Sequence, residues 1–192
     1  MNSFLPPIDD KTFTYEHLFD SPSNELLIQD FTVKNPAGKN LARFLKELAP
    51  HNETSNADRT YLVKDKVSGE IAGYFALRTG LFALNSGNGR IFTVPSVELS
   101  NFAVNDSYRK SHPDIRKVGA TIFNKFVMPL VKHIQMLTGV QALYIYALPE
   151  DRLIDHYGTF GFSRLSKEDE QFVYDRVKPA YDANCIFMYQ IL

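Results

Sequence analysis

The chain has 192 residues, 21 Lys and Arg against 22 Asp and Glu, a formal net charge of −1 and one cysteine. Apolar residues make up 44%, with 15 Phe and 10 Tyr, which is enough for a sizeable core and excludes disorder as the main state. The single Cys185 excludes an internal disulfide framework and a thiolate zinc site, and suits a reducing, cytoplasmic compartment.

Residues 1–23 hold Pro6, Pro7 and Pro22 and read as an extended, loosely packed lead-in, with residues 24–192 as one domain. The start carries no basic n-region, so no signal peptide is expected. No apolar run approaches the roughly 18 residues of a membrane span. Glu25 to Val33 reads as strand or mixed structure. Asn35-Pro36 opens a helix with Leu41, Phe44, Leu45 and Leu48 on one face, and Pro50 is expected to end it. His51 to Asp58 reads as a polar loop. Thr60–Lys64 and Glu70–Arg78 form a hairpin around a turn at Asp65–Gly69. Leu81–Arg90 reads as a loop with its tip at Asn85–Gly89. Ile91–Val104 is a long β-prone stretch, broken at Pro95. Residues 105–115 are polar. Arg116–Leu137 is a long helix, kinked or halved at Pro129. Ala142–Leu148 is a buried strand, and Pro149 starts a short helix through His156 and Tyr157 that Gly158 and Gly161 close. A short helix is expected around Gln171–Val177, and Asn184–Ile191 is the last strand. This order predicts a mixed α/β layer fold around a central sheet.

The richest segment for chemistry runs from Val97 to Phe123. A strand gives way to a polar, basic stretch and then to a helix beginning near Lys117-Val118-Gly119-Ala120. A helix N-terminus offers unpaired N–H groups to a phosphate, Gly119 permits close approach, and Arg109, Lys110, Arg116 and Lys117 add charge. Four cations and one glycine are also common as plain solvated surface. In the second segment a strand leads into a helix bearing Tyr157, followed by Gly161-Phe162.

Together these segments resemble the GCN5-related N-acetyltransferase (GNAT) superfamily. Its later tyrosine sits in a Tyr-x-x-x-Gly-Phe pattern, present here as Tyr157, Gly161 and Phe162. Leu41–Leu45, Arg59–Val63 and Gly69–Leu77 are similar to the N-terminal half of the subgroup that includes bacterial toxins acetylating aminoacyl-tRNA. The resemblance spans about residues 25–192 and rests on several motifs in one order. It implies a mixed, mostly antiparallel sheet flanked by helices, splayed between the strands ending at Val104 and Leu148 to hold coenzyme A. It also implies acetyl-CoA as co-substrate, with Phe102 and Val104 offering backbone to the pantetheine arm. Arg109, Lys110, Lys117, Val118, Gly119 and Ala120 would face the pyrophosphate, and Tyr157 would protonate the departing thiolate.

There are departures. Matching Tyr108–Lys110 and Lys117–Gly119 to the two ends of the family loop leaves Ser111–Ile115 as a five-residue insertion. Lys117 then stands where the family's first glycine belongs. Glu150 replaces a common asparagine, and His156 a usual Phe.

Acetyl transfer to an amine needs a base for the amine and an acid for the thiolate. Tyr157 is the candidate acid. Glu98, on the long strand, is the candidate base, directly or through water; a lone strand carboxylate also reads as a solvent-facing residue. His112 and His156 are read as packed or surface residues. His17, His51 and His133 show no metal-ligand spacing with one another or with Cys185, so no metal is expected. The acceptor is a small-molecule or peptide amine, or charged tRNA as in the toxin subgroup, although the charge of −1 weighs against nucleic acid. A GNAT-shaped binding module without catalysis is the rival of a different class, favoured by the insertion and the missing glycine.

Overall fold

The computed structural model describes residues 5–6, 10–85, 90–176 and 184–192. Seven strands form one mixed sheet in the order β1-β2-β3-β4-β5-β7-β6, flanked by helices. The strands are β1 Phe13–His17, β2 Arg59–Asp65, β3 Ile71–Asn85, β4 Ile91–Val104, β5 Ala142–Ala147, β6 Ser163–Arg164 and β7 Ile186–Ile191. The pairs β1–β2, β2–β3, β5–β7 and β6–β7 are antiparallel, and β4–β5 is parallel. The expected GNAT-like α/β architecture is the one observed. Among the described residues no helix is long and apolar enough to cross a membrane.

Two compact units divide the chain. The first comprises Met1–Arg78 and Ser100–Leu130, the second Thr79–Leu99 and Val131–Leu192.

In the first unit, residues 10–23 are not a loosely packed lead-in. β1 lies within them, pairs with β2 from Phe13↔Asp65 to His17↔Tyr61, and buries Phe13, with Leu18 buried just after it. The alternation of Phe13, Tyr15 and His17 with polar residues is a short strand pattern that the prolines around it masked. Glu25–Val33 is likewise not a strand. It is helix α1, Asn24–Leu27, running into a 3₁₀ turn at Ile28–Asp30. Ile28 and Phe31, three apart, then enter one core with Leu45, Leu62 and Tyr74. The Phe31 and Tyr74 rings meet edge-on at 5.2 Å, and Phe44 stacks on the same tyrosine at 6.2 Å. Each such aromatic stabilises the fold by about 1.5–3 kcal/mol on burial.

Pro50 does not end its helix. Helix α2, Lys39–Arg43, passes through a π turn at Phe44–Leu48 into α3, Ala49–Thr54. The same device recurs at Pro129. Helix α5, Val118–Ile122, passes through a π turn at Phe123–Val127 into α6, Met128–Thr138. A proline ring clashes with the carbonyl four residues back, and in both cases that carbonyl (Lys46 or Lys125) lies in the widened π turn. Helix continues where a regular turn would break. The polar 105–115 stretch is also partly helical, as α4, Asp106–Ser111.

In the second unit, Leu81–Asn85 belongs to β3 rather than to a loop, and the expected tip at 86–89 lies outside the described residues. Strand β4 runs unbroken through Pro95. That residue has no N–H to lose from the ladder, and its carbonyl accepts Gln141 N–H at 2.8 Å. The parallel register of β4 with β5 covers Ser96–Glu98 against Ala142–Tyr144. Helices α7, Asp151–Thr159, and α8, Lys167–Tyr174, complete the unit, and 177–183 lie outside the described residues. Its core gathers Phe82, Val94, Tyr144, Val173 and Phe187.

Candidate active site

In the first unit, β4 delivers the chain to a buried asparagine. Asn105 N–H donates to the Ala72 carbonyl at 2.9 Å, and its side chain donates to the Ile71 carbonyl at 2.9 Å. The same side chain accepts the Ser107 N–H and so caps α4. Arg109 and Lys110 therefore stand exposed on a helix, not in a loop, and Arg109 faces Asp106 at 3.5 Å. Tyr108, between Asp106 and these cations, is buried, and its hydroxyl donates to Asp65 Oδ2 at 2.6 Å. Burial and the neighbouring Asp65 push the Tyr108 hydroxyl well above its ordinary value. Burial alone would raise the Asp65 carboxyl, but hydrogen bonds from Tyr108 and the Ser68 and Val67 N–H groups hold it low.

The chain re-enters helix at Lys117. This residue is left-handed, with φ 56° and ψ 32°, and it is exposed. Left-handed geometry is the role a glycine fills most easily, and here a lysine holds it. The first bond of α5 runs from Thr121 N–H to the Lys117 carbonyl at 2.9 Å. The N–H groups of Val118, Gly119 and Ala120 come before any helical acceptor. A Cβ on Gly119 would lie 3.3 Å from Val104 Cγ2, so helix and strand backbones run close. Phe102, two residues before Val104, meets Phe123 of the π turn at 6.4 Å. Phe102, Val104 and the 117–120 turn are thus brought together, with Arg109 and Lys110 one helix earlier.

In the second unit, Glu98 is buried rather than solvent-facing, at 3% exposure. The Tyr144 hydroxyl donates to its Oε2 at 2.9 Å. Gly80 makes room for that tyrosine: a Cβ there would lie 2.5 Å from the ring and 2.6 Å from the hydroxyl. Tyr157 lies in the last half of α7 and is 8% exposed. Its ring packs edge-on against Phe160 at 6.3 Å and Phe162 at 5.7 Å. The turn that returns Phe162 onto it passes through Gly161 at φ 90°, a conformation L side chains rarely adopt. That is the physical content of the Tyr-x-x-x-Gly-Phe spacing. Burial pushes the Tyr157 phenol up to about 12, and no hydrogen bond from its hydroxyl occurs among the described residues.

Sequence reasoning missed Tyr144, Asn105 and Asp65. Asn105-Asp106-Ser107 is a helix-start signal, so α4 could have been found. The pairing of Tyr144 with Glu98 depends on strand register and left no local mark.

The chain matches no protein-family model and no curated protein sequence. Solved structures do match. One is a tyrosine-to-phenylalanine mutant of the toxin AtaT bound to acetyl-CoA and the C-terminus of the antitoxin AtaR. It is 19% identical, with a TM-score of 0.66 over 93% of this chain and 92% of that one. A tyrosine-to-phenylalanine mutant of KacT is 17% identical, with a TM-score of 0.66 over 94% and 95%. AtaT complexed with acetyl-methionyl-tRNAfMet is 21% identical, with a TM-score of 0.64 over 91% and 93%. These likenesses establish a shared, GNAT-like fold along nearly the whole chain.

Proposed function

We propose that the chain is an N-acetyltransferase that moves the acetyl group of acetyl-CoA to an amine by direct attack. The observation that carries this reading is Tyr157. It is a buried phenol whose hydroxyl has no hydrogen-bond partner among the described residues, kept protonated at neutral pH, at the start of a Tyr-x-x-x-Gly-Phe turn. As the amine nitrogen bonds to the acetyl carbon, the carbon–sulfur bond breaks and the thiolate leaves. Tyr157 donates a hydrogen bond, and then its proton, to that sulfur. A phenol pushed up to about 12 does not ionise in advance, so the donor is present at every working pH. Glu98 removes the amine proton through water, since it is enclosed and held by Tyr144.

The residues of the first unit fit the anionic end of acetyl-CoA. Val118, Gly119 and Ala120 offer N–H groups, and Lys117, Arg109 and Lys110 supply positive charge. Phe102 and Val104 offer strand backbone to the pantetheine arm. The left-handed Lys117 supports this reading over a non-catalytic module, because a glycine-like conformation is kept where the family pattern expects a glycine.

For the acceptor, the AtaT complex with acetyl-methionyl-tRNAfMet favours the α-amine of an aminoacyl-tRNA over a free small amine or peptide. The net charge of −1 confines phosphate contacts to local cations. The test is a thermal melt with and without acetyl-CoA, followed by acetylation of charged tRNA at rising salt. A ligand at 100 times its dissociation constant adds about 2.7 kcal/mol. That is a rise of roughly 5–10 °C for a domain this size. No shift at millimolar acetyl-CoA ends the acetyltransferase reading, and salt-independent acetylation of a free amine alone ends the tRNA reading.

A further inference from the structure

The stretch between α4 and α5 opens on a ring that is held flat. His112 closes α4: its N–H donates to the Tyr108 carbonyl at 2.9 Å, and its own carbonyl accepts Ile115 N–H at 3.1 Å. Its imidazole lies over the Tyr108 ring, 4.2 Å between centroids and 21° from parallel. Tyr108 is itself fixed. It is 1% exposed, its hydroxyl is tied to Asp65 at 2.6 Å, and Phe13 meets it edge-on at 6.1 Å.

One face of the imidazole is therefore covered, and Ser111 Oγ, 3.0 Å from Nδ1, takes one edge. Glu70 Oε2 stands 3.4 Å from Nε2 at the other edge. The side chain is nevertheless 27% exposed, so what it turns to solvent is chiefly its second face. A flat aromatic face on a rigid backing is a platform for a nucleobase, because every base has a π-face to lay on it.

The surroundings select the base. Arg109 and Lys110 stand exposed on α4 just before the platform, and the 112–115 turn leads directly to exposed Arg116 and left-handed Lys117. Such cations suit phosphate. Coenzyme A carries its adenine on a phosphorylated ribose that is joined to the pyrophosphate, so a base and several phosphates arrive together.

We infer that His112 is an adenine-stacking residue: the adenine of acetyl-CoA lies on its open face, with Tyr108 as the fixed backing. The 111–115 stretch is then an added subsite for the nucleotide end of the coenzyme and not a lesion in the family loop. The inference rests on the acetyl-CoA reading above.

The experiment compares acetyl-CoA with acetyl-phosphopantetheine, which keeps the thioester arm and lacks the adenosine. Calorimetry is run on the wild type, His112→Ala, His112→Leu and His112→Phe, and ligand-free melts confirm that the variants fold. His112→Ala is expected to weaken acetyl-CoA binding at least about fivefold, the low end for one lost base stack. His112→Leu keeps bulk over Tyr108 without a π-face and is expected to weaken binding in the same direction. His112→Phe keeps the π-face and is expected to stay near the wild type. The truncated ligand is expected to bind all four proteins alike. Equal acetyl-CoA affinity in the Leu and Phe proteins overturns the stacking role, and so does an equal loss of both ligands in the Leu protein. In either case His112 merely covers Tyr108, and the acetyl-CoA reading stands. No acetyl-CoA binding by the wild type overturns the enzymatic reading, and the stacking role falls with it.

Discussion

The Tyr144 hydroxyl donates to Glu98 Oε2 at 2.9 Å, and the two side chains are 2% and 3% exposed. They sit opposite each other in the last parallel pair of β4 and β5, Glu98↔Tyr144. A buried carboxylate is stable only while its oxygens are served. Tyr144→Phe leaves the carboxylate one donor short and is expected to cost about 1–3 kcal/mol of stability by urea denaturation. Glu98→Gln keeps the shape and is expected to cost less, while slowing turnover at least about tenfold as a lost general base. A Gln variant of full activity would remove Glu98 from the chemistry.

Tyr157→Phe keeps the ring and its contacts with Phe160 and Phe162 and deletes only the hydroxyl. Turnover is expected to fall by well over tenfold, within the range of a lost general acid, while acetyl-CoA affinity stays nearly constant. The same variant has a signature in stability. The phenol rises from 10.0 to about 12 on folding. Its contribution is therefore complete below pH 10 and is lost as pH climbs toward 12, a total of roughly 3 kcal/mol. Tyr61 and Tyr174 are also pushed up to about 12, so the wild type should lose stability steeply in that window. Tyr157→Phe should show a shallower fall. Equal slopes would mean that Tyr157 ionises as freely folded as unfolded.

Much of this was legible in residue order, and the reasons are physical. The β2–β3 hairpin declared itself through alternation around the Asp65–Gly69 turn, and β5 through an unbroken apolar run. The Tyr157-to-Phe162 turn was legible because Gly161 at φ 90° admits little else. The misreadings share one cause: local signals overridden by non-local partners. Pro50 read as a stop, and Pro129 as a kink or a halving, because a π turn cannot be seen in a sequence. Pro95 read as a break because its neighbour Gln141 is supplied by the chain 46 residues on. Glu98 read as exposed because the tyrosine that buries it comes from another strand.

Lys117→Gly separates fold from function at the start of α5. Relieving a left-handed non-glycine residue is expected to stabilise the protein by about 1 kcal/mol. In an enzyme that uses the Lys117 cation, acetyl-CoA affinity should stay level or fall, because the backbone path is already correct and a charge has been removed. In a binding module crippled by the lost glycine, the same change should create or strengthen coenzyme binding. Calorimetry on the two proteins decides between them by sign alone.

Tyr108→Phe tests the support beneath α4. The Asp65 carboxyl lies below its ordinary 3.8 in the folded chain, so it contributes stability above that value and loses it as pH falls below. Phenylalanine retains the stack on His112 and the edge contact with Phe13 but removes the donor at 2.6 Å. A hydrogen bond to a charged group is worth about 1.5–3 kcal/mol. The variant should therefore be destabilised by about that much at neutral pH, in urea melts, and by clearly less at about pH 3, where Asp65 is protonated in the unfolded chain. Its acid transition should also shift upward, because the carboxyl it leaves behind is buried and less well served. An equal loss at both pH values would mean that the hydroxyl acts through packing alone and that Asp65 is held low by the Ser68 and Val67 N–H groups without it.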